Sequence, residues 1–234
     1  MTARLNPCLP AGRRGVTLIE LLVVFAIIMI LAMVIITSQT AFNKTLLLAN
    51  TAYDVALTIR SAETFGLGSR ITSGIIDKNT GYGVHFKKTT PIKSFMLFAD
   101  TFPALTDPVV VTCHLASGAD KQRPDATPGN CIYNSAEENA TAMTYSLGNG
   151  MTISDFCAYT SANAASCATA HNAGLDQLDI VFSRPNTKTF ISANSLYSST
   201  YTRACITLTS PQGGLRHIRV EQSGAISVSS IPCP

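Results

Sequence analysis

Charge is scarce in this 234-residue sequence, where Asp, Glu, Lys and Arg together make up 13% and Glu20 is the sole ionisable side chain between Val16 and Asn43. Proline and glycine are absent from Val16 to Phe65. Nothing there breaks a helix. The seven cysteines contain no CxxC pair, which removes the usual spacing of a zinc site, and no metal is expected. GxSxG, HExxH and Cys-His signatures are missing as well. His85, His114, His171 and His217 are scattered singly and read as surface or strand residues, so no catalytic residue is assigned, no enzyme activity is expected and no cofactor is required.

The charge that is present is unevenly placed. Arg4, Arg13 and Arg14 precede Val16 and no acidic residue does, so without residues 1 to 15 the 17 basic residues become 14, against 14 acidic ones. A net charge of zero leaves no bulk footprint for nucleic acid. From Val16 to Ile36 only Thr17 and Glu20 interrupt an apolar run, which as a helix spans about 31 Å, one bilayer crossing. The arginines just before it keep the N-terminus cytoplasmic and send the rest of the chain across.

Cys8 precedes this run, whereas Cys113, Cys131, Cys157, Cys167, Cys205 and Cys233 follow it. An even number beyond a membrane anchor points to an oxidising compartment and disulfides. Six cysteines allow 15 connectivities. Pairing of sequence neighbours, Cys113 with Cys131, Cys157 with Cys167 and Cys205 with Cys233, is the expectation; the second bridge closes the polar, low-complexity stretch Ser161 to Ser166, read as a loop whose composition invites disorder.

A secretory signal has basic residues before its apolar run too, but its cleavage site follows the run, here near Thr37 to Ala41. The residues before the run say more. Gly15-Val16-Thr17-Leu18-Ile19-Glu20-Leu21-Leu22-Val23-Val24 resembles the processing motif of type IV pilins and type II secretion pseudopilins. In that family a membrane-embedded aspartic peptidase cuts after the glycine and methylates the new N-terminus. The resemblance makes Gly15 the last leader residue, Val16 the N-methylated first residue (usually phenylalanine in the family) and Glu20 the fifth mature residue, which sets subunit register in assembly. A carboxylate inside an apolar helix costs roughly 2 to 4 kcal/mol, so it is seldom kept without a partner. A neighbouring subunit's N-terminal amine would be one; snorkelling to the interface is the plainer alternative.

Leu48, Ala52, Val55, Ile59 and Ala62 continue as an apolar stripe at helical spacing, ended by Gly66 and Gly68. A helix of about 50 residues would reach ~75 Å. Beyond Arg70, β-branched and aromatic stretches predict strands at 82–86, 93–99, 109–115, 142–147, 177–182, 204–209, 216–221 and 225–229, the last two a hairpin across Gln222, Ser223 and Gly224. The expected fold is α+β, a pilin-like lollipop with its long N-terminal helix on an antiparallel β-sheet head. Its parts would be a leader over 1–15, the helix over 16–68 with a transmembrane part at 16–36, and a β-rich head over 69–234. Three weaker stretches are similar to the minor pseudopilin H and FimT-like branch: Ile59 to Glu63 with Gly66-Leu67, Phe95 to Asp100, and Ile180 to Pro185. Residues 113–177 match nothing in it.

Two motifs compete for a role in binding. Asp77-Lys78-Asn79-Thr80-Gly81 begins like a calcium loop but lacks the acidic residue at its far end, so a β-turn is preferred. Arg216, His217 and Arg219 form the one basic cluster worth a DNA hypothesis; the binding arginines of FimT-like DNA-uptake pilins would fall at Gly224-Ala225-Ile226-Ser227, where both are missing, and alternating charges on an edge strand are preferred. The resemblance therefore implies a structural subunit of a secretion pseudopilus or type IV pilus. Its partners would be the prepilin peptidase, other pilin or pseudopilin subunits and the inner membrane, which it would span once before entering a filament. A DNA-binding minor pilin and a non-polymerising membrane-tethered adhesin are the alternatives.

Overall fold

The computed structural model describes residues 15–68, 80–102, 129–169, 174–184, 188–198 and 200–233, without the side chains of 37–42 and 197. The leader up to residue 14, the strand expected at 109–115, Cys113 and the start of the calcium-like motif lie outside them. The chain divides into two units, Met1–Asn43 and Lys44–Pro234.

In the first unit the helix α1 (Leu18–Leu67) begins. Its stretch Leu18–Ile36 has a mean hydropathy of 3.2 with no residue buried, which is long and apolar enough to cross a membrane. The helix starts two residues after Val16 because Thr17 caps it.

In the second unit the remainder of α1 lays one stripe on β-structure. Leu48, Ala52, Val55, Ile59 and Ala62 are all buried. The helix ends where the chain presses on the sheet: a Cβ at Gly66 would stand 2.1 Å from the Phe182 carbonyl oxygen, so only glycine fits.

Eleven strands are described: β1 (Gly81–Lys87), β2 (Ser94–Asp100), β3 (Met143–Ser146), β4 (Thr152–Thr160), β5 (Ala165–Cys167), β6 (Gln177–Phe182), β7 (Thr189–Ala193), β8 (Leu196–Tyr197), β9 (Tyr201–Thr209), β10 (Leu215–Glu221) and β11 (Ile226–Ser229). They form two antiparallel sheets, ordered β3-β2-β1-β6-β7-β8 and β11-β10-β9-β4-β5. Alternate residues of both, such as Val84 and Phe86, Leu178 and Ile180, Ala204 and Ile206, join the α1 stripe in the main core. The architecture is the expected α+β arrangement.

Sheet one is also covered on its other face. Phe98, Val181 and Phe190 pack there against Cys131 and Tyr133 of the segment 129–142. That double burial makes β1, β6 and β7 almost continuously buried, in contrast to the alternation of a half-solvated strand.

Four strands escaped the sequence pattern. In β4 an extra residue at Ser154 shifts the register between Ile153 and Asp155, so inward-facing Ile153 and Phe156 are three apart and the period of two is lost. The stretch Ser161 to Ser166, expected as a loop, is a tight β4–β5 hairpin instead. Thr160 N–H donates to Ala164 O (2.9 Å) and Asn163 N–H to Thr160 O (3.0 Å), with Asn163 at φ 60°. Asparagine tolerates that left-handed conformation. β7 and β8 lie on either side of the turn at Asn194 and Ser195, both at positive φ.

Candidate functional site

Gly15, Val16 and Thr17 form an irregular, exposed approach to α1; Val16 is 71% exposed, and a Cβ at Gly15 would meet nothing within 4 Å. Thr17 Oγ1 accepts the Glu20 N–H at 3.3 Å, and the Thr17 carbonyl accepts Leu21 N–H at 3.2 Å. Thr17 is thus the N-cap and Glu20 the third helical residue, the sequence of a capping box, with the acid in the first turn where the helix dipole favours it. The sequence reading assigned Glu20 only a partner in another subunit or in the interface. The missed signal was a threonine three residues before it.

A second group of polar residues is buried beneath segment 129–142. Asp100 ends β2 and accepts N–H bonds from Asn130 (3.1 Å) and Cys131 (2.9 Å). Glu138 Oε1 accepts Thr101 N–H (2.7 Å) and Phe102 N–H (3.0 Å), while Oε2 accepts Asn134 N–H (2.9 Å). Four of these backbone donors fasten the segment to the end of the sheet, and the fifth, Asn134, holds Glu138 from within the segment. Gly129 enters it at φ 101°, and a Cβ there would lie 2.4 Å from the Asp100 carboxyl carbon.

Opposite each other on β1 and β6, His85 Nδ1 and Asp179 Oδ1 are 2.6 Å apart and buried, and the Tyr133 ring lies 4.8 Å from the imidazole. His85 is therefore an interior strand residue, and its surface alternative does not apply. Burial raises the Asp179 pKa despite the His85 bond; burial and the neighbouring Glu138 charge raise Asp100 further. Burial likewise lifts Glu138 to about 7 against the pull of its three N–H donors. Asp179 Oδ2 has no partner among the described residues. Nor is any hydroxyl or thiol hydrogen-bonded to His85 there, so the pair resembles the base and orienting members of a triad without a nucleophile.

The expected basic cluster is split by the sheet. β10 lies between β9 and β11, which corrects its reading as an edge strand. Arg216 points to one face; His217 and Arg219, opposite Thr207 and Cys205 of β9, share the other. Arg219 pairs through Nε with Glu221, and His217 Nδ1 meets Thr207 Oγ1 at 3.0 Å. Burial, then the Arg216 charge, lowers the His217 pKa.

Disulfides join Cys157 to Cys167 across β4 and β5 and Cys205 to Cys233, and Cys131 is also disulfide-bonded. Among the described residues, two groups bring three ligand-type atoms within 4.8 Å, Cys205–His217–Cys233 and Asp155–Cys157–Cys167. In each, both sulfurs are spent on a disulfide and offer no thiolate to a metal.

Among known proteins, no curated protein and no solved structure matches the chain. Residues 10–36 match the family model of the prokaryotic N-terminal methylation motif, whose span holds Gly15, Val16 and Glu20. With the apolar helical stretch Leu18–Ile36 inside that span, the match fits a membrane-anchored chain and supports its reading as a type IV pilin-like prepilin, a substrate of prepilin peptidase.

Proposed function

We propose that this chain is a structural minor subunit, of the pseudopilin H and FimT-like branch, in a type II secretion pseudopilus or type IV pilus. Residues 1–15 are the leader, cut after Gly15; Val16 becomes the N-methylated terminus; 16–68 store the subunit in the inner membrane and later pack in the filament; 69–234 form the periplasmic head. Glu20 sets register against a neighbouring subunit's terminal amine. The observation that carries this reading is the match of residues 10–36 to the methylation motif, a span that holds Gly15, Val16 and Glu20 together with the helical stretch Leu18–Ile36 of mean hydropathy 3.2. The β-rich second unit, with its bridges Cys157–Cys167 and Cys205–Cys233, suits an oxidising compartment.

The mass of the mature N-terminal peptide tests it. Co-expression with a prepilin peptidase should yield a chain beginning at N-methylated Val16. An uncut chain, or one cut near Ala41, refutes the proposal.

A further inference from the structure

The second sheet carries an open cavity, lined by both polar side chains and apolar surface, on the face turned away from the main core. Register builds it from two cross-strand pairs, His217 with Ser229 and Arg219 with Ser227. The C-terminal segment closes it over β11, held by the Cys205–Cys233 bridge and by the Ile231 N–H bond to Ser229 Oγ (2.9 Å). The open space between these pairs and Ile231, Pro232 and Cys233 is about 420 Å³, within the range of small-molecule sites.

Its walls offer donors. Arg219 engages Glu221 through Nε, and among the described residues its terminal nitrogens have no bond. The Ser227 hydroxyl is likewise uncommitted there, and His217, 6% exposed, has an Nε2 without a partner. Ile231, 74% exposed, gives the cavity an apolar lip beside Pro232.

Donor geometry narrows the class of ligand. Glu221 takes only Nε of Arg219, while Arg203, opposite Glu221 on β9, and Asp155, opposite Thr207 across β4 and β9, add one charge of each sign to the same face. The fork of terminal guanidinium nitrogens left over suits the two oxygens of a carboxylate. We propose that this cavity binds a small carboxylate with an apolar end, its oxygens on Arg219 and Ser227 and its hydrocarbon against Ile231 and Pro232. The site stands independently of filament assembly.

The test uses the oxidised full-length chain in detergent micelles, probed with butyrate and acetate at constant ionic strength by saturation-transfer NMR. Saturable binding of butyrate is expected, several-fold tighter than acetate because of the lip. Arg219→Gln should weaken it about tenfold or more and Ser227→Ala less, whereas Arg216→Gln, on the opposite face, should leave it unchanged. Absence of saturable butyrate binding overturns the proposal. So does wild-type affinity in both Arg219→Gln and Ser227→Ala, or an equal loss in Arg216→Gln.

Discussion

Raising the pH from 4.5 to 7 should weaken the second unit through Glu138. Its carboxyl sits at 4.5 when solvated and at about 7 in the fold, where burial outweighs three N–H donors. A folded-state pKa above the unfolded one means that the folded state holds the proton more tightly. The stabilisation is therefore complete below about 4.5 and is lost as pH rises through about 7. The difference of roughly 2.5 units corresponds to about 3 kcal/mol, lost at about 1.4 kcal/mol per pH unit across that window. Asp100 and Asp179, also raised by burial, act in the same direction. Denaturant titration of the full chain in micelles, at half-unit pH steps, reads the slope. Glu138→Gln cannot titrate and should flatten it by about one proton, whatever its effect on absolute stability. Identical slopes in wild type and variant, or a wild type that gains stability over this interval, would refute the balance of burial over hydrogen bonding.

Gly129→Ala should destabilise the same region by about 3 kcal/mol in chemical denaturation, because its Cβ meets the Asp100 carboxylate at a backbone conformation side chains avoid. Non-reducing peptide mapping should recover Cys157 linked to Cys167 and Cys205 linked to Cys233; removing the pairs should cost about 3 and about 4 kcal/mol, from loops of 10 and 28 residues. Glu20→Ala should insert in the membrane but enter sheared filaments poorly, and Glu20→Gln should share the defect if charge is required. A glutamine variant recovered at the wild-type ratio reduces Glu20 to a helix cap.

Where one physical rule acted alone, the sequence was readable. The α1 stripe follows from period alone, and so do β1 and β10, whose apolar residues alternate (Tyr82, Val84 and Phe86; Ile218 and Val220), while β2 shows as the unbroken apolar run Phe95 to Ala99. β4 was hidden because the bulge at Ser154 breaks the alternation on which strand recognition rests. The carboxylate cluster was invisible for a different reason. Asp100, Glu138 and Asp179 are far apart in sequence, and their common burial exists only once segment 129–142 folds over β1, β2 and β6. Composition treats each as a surface acid. The Arg216–Arg219 cluster failed by the opposite error, since neighbours in sequence were taken as neighbours in space although residues an odd number apart on a strand face opposite ways.

Glu20 joins the two scales at which this chain must be understood. Within one chain it is the acid of a capped first turn, where N–H groups 17–20 converge and the helix dipole is positive. Cleavage after Gly15 would add an ammonium at Val16, two residues before Leu18, and so raise the positive potential at that helix end. Glu20 is the only ionisable side chain from Val16 to Asn43 that can offset it. A capping acid of this kind contributes a few tenths to about 1 kcal/mol in water. In an apolar filament core the unpaired ammonium would cost several kcal/mol, so the same carboxylate gains its importance only where water is excluded. Membrane insertion, with the first turn near the cytoplasmic interface, leaves both groups hydrated and should tolerate the loss of Glu20. Assembly into the proposed filament would bury them and should not. The variant's defect is thus expected to scale with burial of the N-terminus, and a Glu20→Ala chain that inserts poorly yet assembles normally would reverse that order and defeat the argument.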